Sequence, residues 1–223
     1  MENHKHCSKK MKEMKNHTHC LKGVDHINNH QHCSKGIGHL ECKVSFLDNL
    51  ERRNIFPPEE LLEMIPLKKR DNILDLGAGT GYLTMAAAKF TEGTVYALDI
   101  DPNMLNIIDT KAKNENITNI KFIEGSVDDI KLSDSSIDVV LASLVLHEIN
   151  PLAKALKTVK DVLKYGGEFL CLEFEKEDNS SNGAPSHIRI SSSTMEQELI
   201  NAGFTIEKKL FLKESLYVII AKK

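Results

Sequence analysis

Three short runs near the amino terminus set imidazole and thiol groups at a fixed interval. They are His4-Lys5-His6-Cys7, His17-Thr18-His19-Cys20 and His30-Gln31-His32-Cys33, each beginning 13 residues after the one before. Imidazole nitrogen and thiolate sulfur are preferred ligands of Zn²⁺ and also suit Cu and Ni. Neighbours such as His32 and Cys33 do not easily share one tetrahedral ion, so a site is expected to combine ligands from two or three runs. The expected metal set is therefore His4, His6, Cys7, His17, His19, Cys20, His30, His32 and Cys33, with His26, His39 and Cys42 nearby. Four of the five Cys and eight of the ten His fall in the first 42 residues, and that clustering reads as metal ligation rather than disulfides. The competing reading is a solvated low-complexity extension with no role.

A second set of chemistry-bearing residues lies in the body of the chain. Gly77-Ala78-Gly79-Thr80-Gly81 follows the apolar run Asn72–Leu76, whose one acid is Asp75. Glycine lets a backbone approach a bound group where a Cβ would clash. Dinucleotide sites use G-x-G-x-x-G to bring a pyrophosphate to a helix N-terminus, but Tyr82 stands at the third glycine position here, which counts against a nicotinamide cofactor. Asp75 beside the turn would repel a pyrophosphate and suit an ammonium group. Asp99 closes the next apolar run and can accept hydrogen bonds from two vicinal hydroxyls. His147 and Glu148 follow a later apolar run; imidazole titrates near neutrality, which suits proton abstraction.

These residues need elements to hold them, and the pattern supplies alternating strands and helices. Strands are expected at 72–76, 94–98, 120–123, 137–142 and 168–174, and a terminal pair at 204–211 and 215–221. Helices are expected from Pro57-Pro58 to Pro66, and over 82–90, 102–115, 151–164 and 194–202. Such alternation predicts an α/β fold, a doubly wound sheet with helices on both faces and ligands at the carboxyl ends of the strands. Residues 1–45 are expected to form a mostly irregular tail that orders on binding metal, and 46–223 the folded domain.

Leu74-Asp75-Leu76-Gly77-Ala78-Gly79-Thr80-Gly81 resembles motif I of class I S-adenosylmethionine-dependent methyltransferases, and Val95–Leu105 resembles their motif II. Asp138–Glu148 is similar to the segment after strand four in the subgroup related to quinone-biosynthesis methyltransferases. Leu199–Phe204 resembles the family's turn before its last two strands. The resemblance runs from about Phe46 to Lys223 with the motifs in family order. It implies a Rossmann-like sheet of seven strands with the last antiparallel, and S-adenosylmethionine as cofactor. The cofactor residues it implies are Asp75, Gly77, Ala78, Gly79, Gly81 and Asp99. Ile100 and Met104 would flank adenine, Ser126 and Val127 would contact it, and Ala142 and Ser143 would lie near the methionine and sulfonium. Ser126 departs from the Asp frequently found there and is a weaker acceptor for the adenine amino group.

Methyl transfer from a sulfonium is a displacement in which the protein positions the acceptor and removes its proton. His147 and Glu148 are the candidate catalytic residues. Tyr82 could close over the cofactor. His187 and Arg189 lie on a polar stretch, 175–189, that could act as a lid. Cys171, inside an apolar strand, reads as a small buried hydrophobe.

The formal net charge is −3, uneven along the chain: residues 1–45 carry +4 and the remainder −7. An acidic body argues against nucleic acid as partner and leaves a small-molecule acceptor. No apolar run approaches the roughly 18 residues of a membrane span, and a polar start leads to the expectation of a cytoplasmic protein. The alternative function is a metal- or metalloid-binding protein, metalloid methylation included, that uses the methyltransferase fold as scaffold. The acceptor and the oligomeric state are not legible.

Overall fold

A computed structural model describes residues 38–48, 56–176, 184–213 and 215–223. The nine expected metal ligands between His4 and Cys33, and His26, lie outside the described residues. Seven strands form one sheet: β1 Ile73–Leu76, β2 Val95–Asp99, β3 Ile120–Glu124, β4 Ile137–Ser143, β5 Leu163–Phe174, β6 Thr205–Phe211 and β7 Leu216–Lys222. Their order is β3-β2-β1-β4-β5-β7-β6. Strands β1 to β5 pair in parallel, and β7 inserts antiparallel between β5 and β6.

Among the described residues six α-helices accompany them: α1 His39–Leu47, α2 Pro58–Glu63, α3 Tyr82–Phe90, α4 Pro102–Asn114, α5 Leu152–Val162 and α6 Ser192–Asn201. All four residues of β1 are buried, as a central strand covered on both faces requires. Leu74 and Leu76 pack with Ala155, Leu156 and Val159 of α5 and Leu199 of α6. Ile73 faces the other way, onto Leu61 and Leu62 of α2 and Leu83 and Ala87 of α3. Helix α4 seats Leu105, Ile108 and Ala112 against Ala97 of β2 and Met85 of α3. The two faces give the doubly wound arrangement, and the chain reverses direction across the sheet between β1 and β4, where such folds open a crevice at the carboxyl edge.

Local chemistry sets the helix starts. Pro102 sits in the first turn of α4, and the Asp101 side chain accepts from the Asn103 amide as N-cap. Ser191 caps α6 by accepting from the Thr194 amide. Two elements differ from expectation. Strand β5 begins at Leu163 rather than Glu168: Leu163 pairs with Ile137, the register then shifts, and pairing resumes at Glu168 with Val139. The Gly166-Gly167 pair therefore sits in an irregularity inside a strand and not at a helix end. Helix α1 spans both sides of the expected tail boundary and lies over the carboxyl edge. Among the described residues no helix is long and apolar enough to cross a membrane.

Candidate functional site

The carboxyl ends of β1, β2, β4 and β5 converge on one edge. The turn after β1 takes left-handed backbone at Gly77 (φ +61°) and Gly79 (φ +54°). A Cβ on Gly77 would stand 2.4 Å from Cγ2 of Val145 in the segment after β4, so no larger residue fits. The turn is fastened from within the site. Asp99 accepts from the Gly79 amide through Oδ2 at 2.8 Å and from the Asp101 amide through Oδ1 at 2.9 Å. An ionised carboxylate has about four acceptor positions, so Asp99 keeps capacity for further donors. Beside it Ile100 is 74% exposed, an unusual exposure for a large apolar side chain next to a buried acid. Met104 is fully enclosed, so of the two side chains expected against adenine only Ile100 presents surface.

Asp75 is almost fully buried and accepts from the Thr84 hydroxyl at 2.6 Å. Burial pushes its carboxyl up to about 7, against the lowering effect of the Thr84 bonds, and the Asp99 charge adds to the rise. Ser143 ends β4, and its Oγ is buried with no hydrogen-bond partner among the described residues. An orphaned buried hydroxyl is uncommon. Leu144, next in sequence, holds φ +56°, a costly conformation for a non-glycine residue that tends to occur at functional turns. Ala78, Val127 and Ala142 line the same edge as buried apolar surface, and Gly81 (φ +89°) opens helix α3. Ser126 is exposed, and its hydroxyl donates to Asp128, which Lys154 holds at 2.9 Å.

His147 occupies a short 3-10 turn, Leu146–Glu148, directly after β4. Its Nδ1 lies 2.8 Å from Glu173 Oε2, and its Nε2 lies 3.9 Å from Glu148 Oε1. Glu173 is 1% exposed, and its Oε1 accepts from the Leu146 amide at 2.8 Å. Burial by itself would lower the imidazole's basicity; the Glu173 hydrogen bond and charge, with Glu148, outweigh burial and the opposing Arg189 charge and hold it above the ordinary histidine value.

The expectations for Tyr82 and Arg189 resolve differently, and that for Cys171 holds. Tyr82 donates its hydroxyl to the Phe56 carbonyl and packs with the α2–α3 cluster, which ties it down instead of leaving it to close over the edge. Arg189 is 4% exposed, donates to the Ala184 and Glu175 carbonyls and stacks on Phe174 at 5.0 Å, so it braces the loop. His187 is exposed on the same loop. Cys171 is fully buried, and burial pushes its thiol well above the ordinary range. Among the described residues no group of three or more His, Cys, Asp or Glu is arranged to hold a metal ion.

Sequence reasoning passed over Glu173, Thr84, Asp48 and Lys43. Glu173 carried a readable signal: one acid within the apolar run Phe169–Phe174 must find a buried partner. The contacts of α1 carried none. Thr80 donates to Asp48 Oδ1 at 2.7 Å, Lys111 binds both Asp48 oxygens at 2.8 and 2.9 Å, and Lys43 pairs with Asp101 at 3.0 Å. These bonds lay α1 across the glycine turn, with Leu47 Cδ1 3.6 Å from where a Gly79 Cβ would sit. A shallow cleft lined by Ile65, Lys68, Asp71, Lys164 and Lys222 opens at the other end of the strands, away from these groups.

Comparison with known proteins identifies the family and the fold. Residues 67–217 match the family described as methyltransferase domain. A demethylmenaquinone methyltransferase of Geobacillus sp. is 32% identical over 124 residues, 55% of this chain and 53% of that protein. A ubiquinone/menaquinone biosynthesis C-methyltransferase of Vibrio parahaemolyticus is 36% identical over 107 residues, 47% of this chain and 41% of that protein. The matches span about half the length of these relatives. A solved S-adenosylmethionine-dependent methyltransferase from Aquifex aeolicus superposes with a TM-score of 0.75 at 25% identity, covering 80% of this chain and 96% of that one.

Proposed function

The chain belongs to the methyltransferase-domain family, and from that premise we propose that it transfers a methyl group from S-adenosylmethionine to a small-molecule acceptor, with a reduced quinone ring as the favoured acceptor class. The observation that carries the cofactor assignment is the Asp99 carboxylate, drawn onto the Gly79 amide at the β1–β4 switch point with acceptor capacity to spare for a ribose diol. The unpartnered Ser143 hydroxyl and the exposed Ile100 fit the same ligand. Within that assignment Asp75, Gly77, Ala78, Gly79, Gly81, Asp99, Ile100, Val127, Ala142 and Ser143 surround the cofactor. Ser126 would accept from the adenine amino group, its own proton already given to Asp128. When bound, the cofactor supplies an electrophilic methyl and its own leaving group. The protein's part is to orient the acceptor and take its proton, and we assign that task to His147 and Glu148, whose side chains lie 3.9 Å apart after β4. The quinol preference rests on the relatives' named activities alone.

Titration calorimetry of the full chain is expected to show micromolar S-adenosylmethionine binding that Asp99→Ala weakens by about 100-fold, the loss of two hydrogen bonds to a charged acceptor. An acceptor screen with reduced naphthoquinones and benzoquinones then follows, with and without Zn²⁺. A wild-type chain that binds no S-adenosylmethionine under either condition sinks the proposal.

The amino-terminal His/Cys runs are part of the same proposal as a metal-binding segment. Their 13-residue repeat of two imidazoles and a thiol supports it.

A further inference from the structure

A carboxylate buried as deeply as Glu173 is costly unless its oxygens are satisfied. Both are. Oε1 takes the Leu146 amide at 2.8 Å, with the His147 amide further off at 3.4 Å, and Oε2 takes the His147 ring at Nδ1. Glu173 thus grips the turn after β4 by its backbone and its ring together. Of the two neutral tautomers only one satisfies the short Nδ1 contact to a carboxylate: Nδ1 carries the proton and donates it. In that neutral form Nε2 holds the lone pair. That nitrogen is on the outward side of the ring, toward Glu148, whose side chain is 54% exposed, whereas Nδ1 points at a carboxylate that is 2% exposed.

We propose that Glu173 is a positioning residue for methyl transfer: it fixes His147 in the Nδ1–H tautomer with Nε2 presented as proton acceptor to an acidic hydroxyl of the acceptor. This rests on the methyltransferase reading above and adds to it the residue that makes His147 a base. In the step, the hydroxyl proton of a quinol passes to Nε2. The ring carbon beside that oxygen forms the new bond to the methyl carbon, and the methyl–sulfur bond breaks with its electron pair staying on sulfur. The proton on the methylated ring carbon then leaves and the oxygen recovers one, so one proton is released per turnover. The Glu173 charge stabilises the imidazolium that forms, the same logic by which a buried carboxylate supports a catalytic histidine elsewhere. The groups that act on His147 are Glu173 from β5, Glu148 from its own turn and Arg189 from the loop before α6.

Glu173→Gln separates positioning from mere packing. The amide oxygen can still accept from Leu146, but its NH₂ can face Nδ1 only as a donor, which forces the Nε2–H tautomer. Nitrogen and carbon NMR of the imidazole in the full chain, assigned with His147→Asn, should show the Nδ1–H form in wild type and the Nε2–H form in Glu173→Gln. The variant's titration should move to lower pH while its S-adenosylmethionine affinity stays within twofold. With 1,4-dihydroxynaphthalene as acceptor, kcat should fall by about 100-fold or more in Glu173→Gln with little change in KM. An Nε2–H tautomer in wild type, or titration curves that coincide, overturns the pairing. Wild-type turnover that survives in Glu173→Gln overturns its catalytic use. No turnover by wild type, with the NMR signature intact, counts against the quinol acceptor and leaves the Glu173–His147 pairing standing.

Discussion

Asp75 is a carboxylate placed where ionisation is unfavourable. It is 2% exposed, and burial lifts its carboxyl to about 7 despite the Thr84 hydroxyl. A folded-state value raised above the unfolded one means that the native protein prefers the protonated acid. The cost of ionising it is absent below about pH 4 and is complete above about pH 7. A bound ammonium group beside it would reverse that preference. S-adenosylmethionine is therefore expected to bind more tightly as pH rises from 5.5 to 8, with proton release visible as a dependence of the calorimetric enthalpy on buffer ionisation. Asp75→Asn should flatten both dependences and weaken binding by about 10-fold, the loss of one charge-assisted contact. A pH-independent wild-type affinity would place Asp75 outside the cofactor's reach. The residue types of this site were legible in the sequence because glycine at a turn, acid at a strand end and His-Glu after a strand are chemically specific when they occur together in order. Which residue pairs with which was not legible. Glu173 lies 26 positions from His147 and Thr84 nine from Asp75, and side-chain pairing across a sheet has no local pattern.

At the scale of elements, strands β1, β2 and β4 were readable because a buried parallel strand is a short apolar run with sharp ends. Helix α3 was readable because glycine precedes it and Thr91 in extended backbone ends it. The start of β5 was not: Gly166-Gly167 reads as a helix stop, yet the sheet absorbs both residues where its register shifts against β4. Helix α1 was missed for a different reason. Its sequence, HLECKVSFL, is weakly amphipathic, and its fastening is the ionic contacts of Lys43 and Asp48 to distant residues. Those contacts give α1 a testable role as a strap over the glycine turn. Asp48→Ala removes the acceptor for Thr80 and Lys111 at once. Partly exposed ion pairs contribute about 1 kcal/mol at most, so Tm should fall by only about 2–4 °C for a chain of this size. Amide exchange over 39–47 should accelerate about fivefold, the same ~1 kcal/mol read as a local opening, and S-adenosylmethionine should associate faster. Unchanged exchange over that helix would mean that Leu47 and its apolar neighbours hold it without the ionic clasp.

The whole molecule joins two chemistries of opposite charge. The first 45 residues carry +4 and the His/Cys repeat, and the remaining 178 carry −7 and the methyltransferase fold. Helix α1 is the covalent junction, directly after the last repeat residues and directly over the glycine turn. The repeat predicts that the full chain takes up at least one Zn²⁺ with an affinity that strengthens with pH, because imidazole and thiol must lose protons to bind. Deleting residues 1–37 should abolish that uptake. It should leave S-adenosylmethionine affinity within a few-fold, since Asp99, Ser143 and the glycine turn are all retained. Both quantities can be read from one preparation by metal analysis after dialysis and by calorimetry. Equal zinc content in the full and shortened chains would remove the metal reading of the repeat. Zinc uptake that alters cofactor affinity in the full chain but not in the shortened one would show that the segment acts on the site through α1, and the Asp48→Ala chain should then lose that coupling, because the strap through which it passes is unfastened.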